Sequence, residues 1–337
     1  MALNASGHLW TIGPRLRHAV RPFPCPESRP WETAVDDPRL GRIRLSGRLH
    51  EVPGADELVV LVHGLGGSTD SHYMPHGAVA AERAGMSCLR LNLRGADRRG
   101  EDYFHAGQTA DVHAAFASPE LRPYGRLYVL GYSMGGHVAL RLATETADPR
   151  LAAAAAICAP LDLAREQREI DAPALWIYRR YLLTNLGEIY ATVAARRPVP
   201  FPVERLGEIR TFRAWDDAIV APRHGFADAA DYYARASVAP RLGALRVPAL
   251  LLNSELDPMV PARSVRPALA GASPLLTVAW LRGGGHVAFP RRLRSGLAAG
   301  EGMAGIDAQA IAWLRTIRRG TAPPAVRCRP RGEARGG

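Results

Sequence analysis

The stretch "LYVLGYSMGGHVALRLATE", Leu127 to Glu145, constrains the fold more than any other part of the chain. It reads as an apolar strand, a tight turn and then a helix. Gly131, Ser133 and Gly135 fit the pattern Gly-x-Ser-x-Gly, in which a serine rides a sharp strand-to-helix turn with its hydroxyl thrust outward. Taken alone, the pattern equally suits an ordinary β–α turn, because glycine and serine collect in turns for purely conformational reasons. The surrounding sequence decides between the two.

Strand-like and helix-like segments alternate along most of the chain. "RIRLSGRLHE" and "ELVVLVHG" read as strands, the second apolar throughout, as in a strand buried on both faces. A helical stretch over Pro75–Ala84, the strand "SCLRLNLRG" and the short helix "GQTADVHAAFAS" follow. "RLAAAAAICAP" is ambiguous: alanine favours helix, but the run follows a helix and stops at Pro160, so position predicts a strand. "VPALLLN" and "LLTVAWLRG" are further strands, and "GIDAQAIAWLRTIRRG" closes as an amphipathic helix. This alternation predicts an α/β fold, a mostly parallel sheet flanked by helices.

Residues 41–160 and 246–320 form that core. Residues 161–245 hold no clear strand and read as an inserted helical cap. Residues 1–40, proline-rich, are expected to be an irregular extended arm, and the basic tail 321–337 to be disordered.

All 43 basic residues are arginine, and the formal net charge is +11. The arginines are scattered except in the tail, as compositional bias would scatter them, so no nucleic-acid partner is expected. No apolar run approaches the roughly 18–20 residues that cross a bilayer, although peripheral membrane contact stays open. The N-terminus lacks the continuous apolar region of a secretory signal. Cys25, Cys88, Cys158 and Cys328 show no disulfide or metal spacing, so reduced thiols and a cytoplasmic location are expected. No metal or other cofactor is expected.

Reactive groups in parallel α/β sheets gather beyond the carboxyl ends of the strands. Three such ends carry candidates: Ser133 after "LYVLGY", Asp257 after "PALLLNSEL" and His286 after "LLTVAWLRGGG". A serine hydroxyl becomes a nucleophile when a base takes its proton. His286 fits that role, with Asp257 to orient and charge-stabilise the imidazole. The chain order Ser…Asp…His differs from that of chymotrypsin-like and subtilisin-like proteases. Asp162, after the alanine-rich strand, is an alternative acid. An oxyanion would need two backbone N–H groups; those of Leu65, in "VHGLGGS", and Met134 are the candidates.

The chain resembles the YheT-type branch of the α/β-hydrolases. The resemblance rests on "HGLGGSTDSHY" (63–73), "LNLRGADRRGEDYFHAGQTAD" (91–111), "GYSMGGHVAL" (131–140), "FRAWDDAIVAPRHGFADAADYYARAS" (212–237), "LLNSELDPMVP" (251–261) and "GGGHVAF" (283–289). It spans about residues 30–319. It implies a carboxylic-ester hydrolase with Ser133, Asp257 and His286 as its triad. Where family members often carry an aspartate pair before the proline of the acid loop, this chain has Glu255-Leu256-Asp257-Pro258.

The expected reaction is cleavage of a small-molecule acyl ester of short or medium chain through an acyl-serine. Two alternatives are an acyltransferase using the same triad and a non-catalytic scaffold. Trp176, Tyr178, Tyr181, Leu182 and Tyr190 are candidates to roof an acyl pocket or to form a satellite core. His63 and His137 read as structural, while His105 and His224 could line the pocket or bond backbone. Arg94 would brace its loop through Asp97 or Asp111. Asp216 and Asp217 would pin the insert to the core.

Overall fold

A computed structural model describes residues 5–145 and 148–317. In chain order it begins with α1 (Ala5–Val20), β1 (Arg29–Asp37), β2 (Gly41–His50), β3 (Glu57–Val62), α2 (Met74–Arg83) and β4 (Ser87–Asn92). It continues with α3 (Ala110–Ala117), β5 (Arg126–Tyr132), α4 (Met134–Thr144), β6 (Leu151–Ile157), α5 (Leu163–Ile170) and α6 (Trp176–Ala194). Short helical turns and a helix at Ala229–Ala236 lead to β7 (Ala249–Ser254), β8 (Leu276–Leu281) and a closing helix, Ile306–Thr316.

The strands form one sheet in the order β1-β2-β4-β3-β5-β6-β7-β8. From β4 to β8 every neighbouring pair is parallel, and β2 alone runs against the rest. The parallel strands are covered on both faces. Val60, Val62, Val129 and Leu251 face one apolar layer; Val59, Leu61, Leu130 and Leu250 face the other. That two-sided burial explains why "ELVVLVHG" is apolar without alternation.

The alanine-rich run is a strand, β6, against its helical propensity. A Cβ on Gly136 of α4 would lie 3.1 Å from the Ala156 Cβ and 3.0 Å from that of Ala159. Small side chains are what let α4 pack that closely, so tertiary contact overrides propensity here.

The N-terminal region departs from expectation. The described part of residues 1–40 is not an irregular arm: Ala5–Val20 is helical despite Gly13 and Pro14, and Arg29–Asp37 pairs along its whole length with β2. Gly7 and Thr11 of α1 are buried against the core, a contact that outweighs the helical hydrogen bond lost at Pro14. Trp31 is buried beneath β1, and the link to β2 turns at Gly41, which has φ +75°. Between β6 and β7 the described elements are all helical. The tail 321–337 lies outside the described residues, as does Cys328.

Candidate active site

Ser133 sits between β5 and α4 with φ 53° and ψ −120°, a strained conformation for a residue bearing a side chain. The flanking glycines explain how the turn is tolerated. A Cβ on Gly131 would lie 2.0 Å from the Gly135 carbonyl oxygen, and one on Gly135 would lie 2.2 Å from that of Val62. No other residue fits either position, so the Gly-x-Ser-x-Gly pattern is a packing requirement here.

The ends of β7 and β8 bring the partners. Asp257 Oδ2 lies 2.8 Å from His286 Nδ1, and His286 Nε2 lies 2.9 Å from Ser133 Oγ. A carboxylate can only accept, so the imidazole proton belongs on Nδ1, leaving Nε2 to accept from the serine hydroxyl. The other Asp257 oxygen, Oδ1, accepts from the Met259 and Val260 N–H groups at 2.8 and 3.0 Å, which fixes the carboxylate's orientation. Asp162 is elsewhere: it caps α5, accepting from the Arg165 N–H at 3.0 Å.

Cys158, at the end of β6 with φ 53°, lies beside this chain of groups. Its Sγ accepts from the Val287 N–H at 3.5 Å. The donor atoms of Cys158, Asp257 and His286 fall within 4.8 Å of one another, but the last two are already bonded to each other. Burial pushes the Cys158 thiol well above its ordinary range, so it packs as a neutral, apolar group.

The loop after β3 passes over the serine. A Cβ on Gly64 would lie 3.1 Å from the Ser133 Cβ, and the Gly64 N–H donates to the Tyr73 hydroxyl at 2.8 Å. His63 holds the loop from below. Its Nδ1 faces the Gly64 carbonyl at 2.8 Å, and its Nε2 accepts from the Leu93 N–H at 3.1 Å. Burial pulls the His63 pKa down to about 4, so the ring is neutral and structural. Leu65 and Met134 both line the cavity above Ser133.

That cavity encloses about 570 Å³ and is lined largely by apolar side chains. Tyr178, Tyr181 and Leu182 of α6 form part of its wall. Trp176 does not: its side chain is 53% exposed on the outer side, because α6 turns its buried face through Tyr178, Leu182 and Leu186 instead. Tyr190 is buried in the satellite packing of the insert, its hydroxyl donating to the Phe201 carbonyl at 2.7 Å.

Three carboxyl groups also reach the cavity wall, the exposed Asp70 and two that are shielded from solvent. Burial raises both: Glu166 well above the carboxylate range, and Asp216 to about 7. Ser264 donates to Glu166 at 2.8 Å and Tyr233 to Asp216 at 2.7 Å. Asp216 and Asp217 bond within the helical segment, Asp217 accepting from the Ala229 N–H, and do not tie it to the sheet.

Arg94 is fully buried and binds Asp111 (2.7 Å), Asp37 (2.8 Å) and Asp102 (3.1 Å). Asp97 pairs with Arg44 instead. His137 is structural, its ring nitrogens facing the Pro160 and Ala236 carbonyls. His105 lines the cavity, with the His224 ring tilted against it at 4.5 Å.

Sequence reasoning missed one contact entirely. The backbone N–H of His286 donates to Thr11 Oγ1 of α1 at 2.9 Å. A Cβ on Gly285 would lie 2.3 Å from the Gly7 carbonyl oxygen. The N-terminal helix therefore buttresses the histidine loop. The only sequence signal was the helical spacing of Leu9, Ile12, Leu16 and Val20, hidden by Gly13 and Pro14.

Comparison with known proteins places this arrangement. Residues 57–292 match the alpha/beta hydrolase fold family. YheT of Escherichia coli, an esterase by name, is 33% identical over 240 residues, covering 68% of this chain and 70% of that protein. The medium-chain fatty acid ethyl ester synthase/esterase 2 of Saccharomyces cerevisiae is 29% identical over 60% of this chain and 51% of its own length. Human phospholipase ABHD3 is 25% identical over 68% and 58%. This chain thus spans only about half of the yeast relative. Among solved structures, an esterase of Pyrococcus furiosus superposes with a TM-score of 0.52 at 16% identity, over 77% of this chain and 84% of that one. The 2,6-dihydroxy-pseudo-oxynicotine hydrolase gives 0.53 at 18%, over 89% and 71%, likenesses of fold alone. The chain belongs to the α/β-hydrolases, in their YheT-type branch.

Proposed function

We propose that the protein is a serine hydrolase of carboxylic esters, with Ser133 as nucleophile, His286 as general base and then acid, and Asp257 as the group that orients the imidazole. The observation that carries this is the unbroken path from Asp257 through His286 to Ser133 Oγ, 2.8 and 2.9 Å, opening into an apolar cavity. Ser133 attacks the ester carbonyl as His286 Nε2 takes its proton. The N–H groups of Leu65 and Met134 receive the oxyanion. The imidazolium, held by Asp257, then protonates the leaving alcohol. Water, activated by the same histidine, releases the acid and restores the serine. The apolar cavity, walled in part by Tyr178, Tyr181 and Leu182, suits a short- to medium-chain acyl group.

The yeast relative's name, which joins ester synthesis to hydrolysis, favours one second reading: an alcohol in place of water as acyl acceptor. Both share every step up to the acyl-serine.

The test is turnover of a p-nitrophenyl ester series from acetate to palmitate, with Ser133→Ala alongside and ethanol added in a parallel set. Turnover peaking at one chain length and falling at least ~10³-fold in the variant is expected. Activity that survives the substitution would remove Ser133 from the mechanism. Ethyl ester among the products would assign the acyl-transfer reading.

A further inference from the structure

The apolar residues that the fold leaves outside are concentrated in one place. Eight large apolar side chains are exposed among the described residues, and all but Met303 lie on or beside α1 and the first turn of α6. On α1, Leu9, Ile12, Leu16 and Val20 follow the helical spacing of three or four residues and form one outward stripe. Leu9 is 69% exposed and Val20 88%. The opposite face of the same helix carries Gly7 and Thr11, buried against the histidine loop. Phe23 extends the stripe beyond the helix. Trp176 and Ile177 extend it onto α6, which α1 meets through the His8–Tyr178 contact (2.7 Å) and Arg15 over the Tyr181 ring.

This stripe is continuous with the cavity. Ile12 and Leu16 are at once exposed and part of its lining, so the mouth opens within the apolar patch. Basic groups dominate the rim, with Asp70 as the exposed acidic residue of the cavity lining. No Asp or Glu precedes Glu27 in the chain, while Arg15, Arg17 and Arg21 are exposed beside the stripe. The first turns of α6 add the exposed Arg180, while Arg179 is turned inward onto the Ile170, Ala172 and Arg210 carbonyls; the first acidic residue of α6 is Glu188. A helix with an apolar outer stripe and arginine flanks has the design of one lying in a membrane interface, with apolar groups in the acyl boundary and guanidinium groups among anionic headgroups. Helix α1 also lies outside residues 57–292, the part matched to the hydrolase family.

We propose that α1 and the start of α6 form a docking surface for an anionic lipid bilayer, which seats the mouth of the acyl cavity on the membrane. The surface stands on its own observations; only the statement that an acyl ester then enters from the lipid rests on the esterase reading. Burying Leu9, Val20 and Trp176 in the acyl boundary drives binding. The arginines give it a preference for anionic headgroups that salt weakens.

The experiment is co-sedimentation of the full chain with phosphatidylcholine vesicles and with mixed phosphatidylcholine–phosphatidylglycerol vesicles. The wild type is compared with the triple variant Leu9→Gln, Val20→Gln, Trp176→Gln, all outside the cavity lining. Binding to the mixed vesicles that exceeds binding to phosphatidylcholine alone, and falls at least tenfold in the variant, is expected. The variant should keep the wild-type melting temperature and its turnover of p-nitrophenyl acetate. Equal binding by wild type and variant, or no binding by the wild type, would overturn the proposal. So would a wild-type dimer in sedimentation velocity that the variant splits, which would assign the patch to a second copy. Loss of the esterase reading shows as absent acetate turnover and leaves the vesicle result standing.

Discussion

The floor and the roof of the cavity are built on different physical terms. The floor consists of strand ends: Ser133, Asp257 and His286 follow β5, β7 and β8, and backbone contact holds them. The missing Cβ atoms of Gly131 and Gly135 leave room for carbonyls that would otherwise lie 2.0–2.2 Å away. The roof consists of helices, α1 and the segment between β6 and β7, joined by side chains such as His8–Tyr178 and Arg15–Tyr181. Backbone packing has almost no slack, which suits groups that must stay within hydrogen-bond reach of one another. Side-chain packing can vary with the substrate it covers.

Single substitutions should separate the two. The largest effect is expected at the elbow. In Gly135→Ala the new Cβ would face the carbonyl oxygens of both Val62 and His63, at 2.2 and 2.5 Å, with backbone on each side. We expect a destabilisation above about 3 kcal/mol, seen as loss of soluble protein or a collapse in melting temperature. A stable, active Gly135→Ala protein would show that the floor does have slack.

The next effect belongs to the roof and depends on pH. Burial raises the Asp216 carboxyl from 3.8 to about 7, so between those values the folded protein holds a proton that the unfolded chain has lost. Its contribution to stability is therefore greatest near pH 4 and declines as pH rises toward 7, by up to roughly 4 kcal/mol. Asp216→Asn stays neutral, and Tyr233 can still donate to its amide oxygen. The difference in melting temperature between variant and wild type should be smallest near pH 4 and grow in the variant's favour up to about pH 7. Parallel curves would mean that Asp216 does not titrate in this window.

The smallest effect is stabilising. Gly187, inside α6, has only Leu206 Cδ1 within 4 Å of an added Cβ, at 3.8 Å. Gly187→Ala should add about 0.5–1 kcal/mol by helix propensity, read as a modest rise in melting temperature. The same substitution at two glycines thus has opposite signs in floor and roof. A fall in melting temperature for Gly187→Ala would bring the roof closer to the floor in rigidity.

The parallel sheet was legible because two-sided burial leaves a local mark. "ELVVLVHG" and "LYVLGY" read as buried strands, and β6 could be placed by its position between a helix and a proline. The order Ser133, Asp257, His286 was legible because each group follows its own strand. Trp176 was misplaced for a definite reason. Which side of a helix faces a cavity depends on its neighbours, and α6 buries Tyr178 and Leu182 while leaving Trp176 outside. Helix α1 went unrecognised because Gly13 and Pro14 are local signals against helix, while what supports it is contact with residues about 250–275 positions further along.

By itself, then, the sequence determined the parallel strands of the sheet, the elbow and the chain order of the three candidate catalytic residues, since each depends on local patterning and on glycines that only a tight turn requires. The tertiary structure alone decided the distances among those residues, the walls of the cavity and the place of α1 against His286. Those depend on which surfaces meet across hundreds of residues, and no local pattern carries that information.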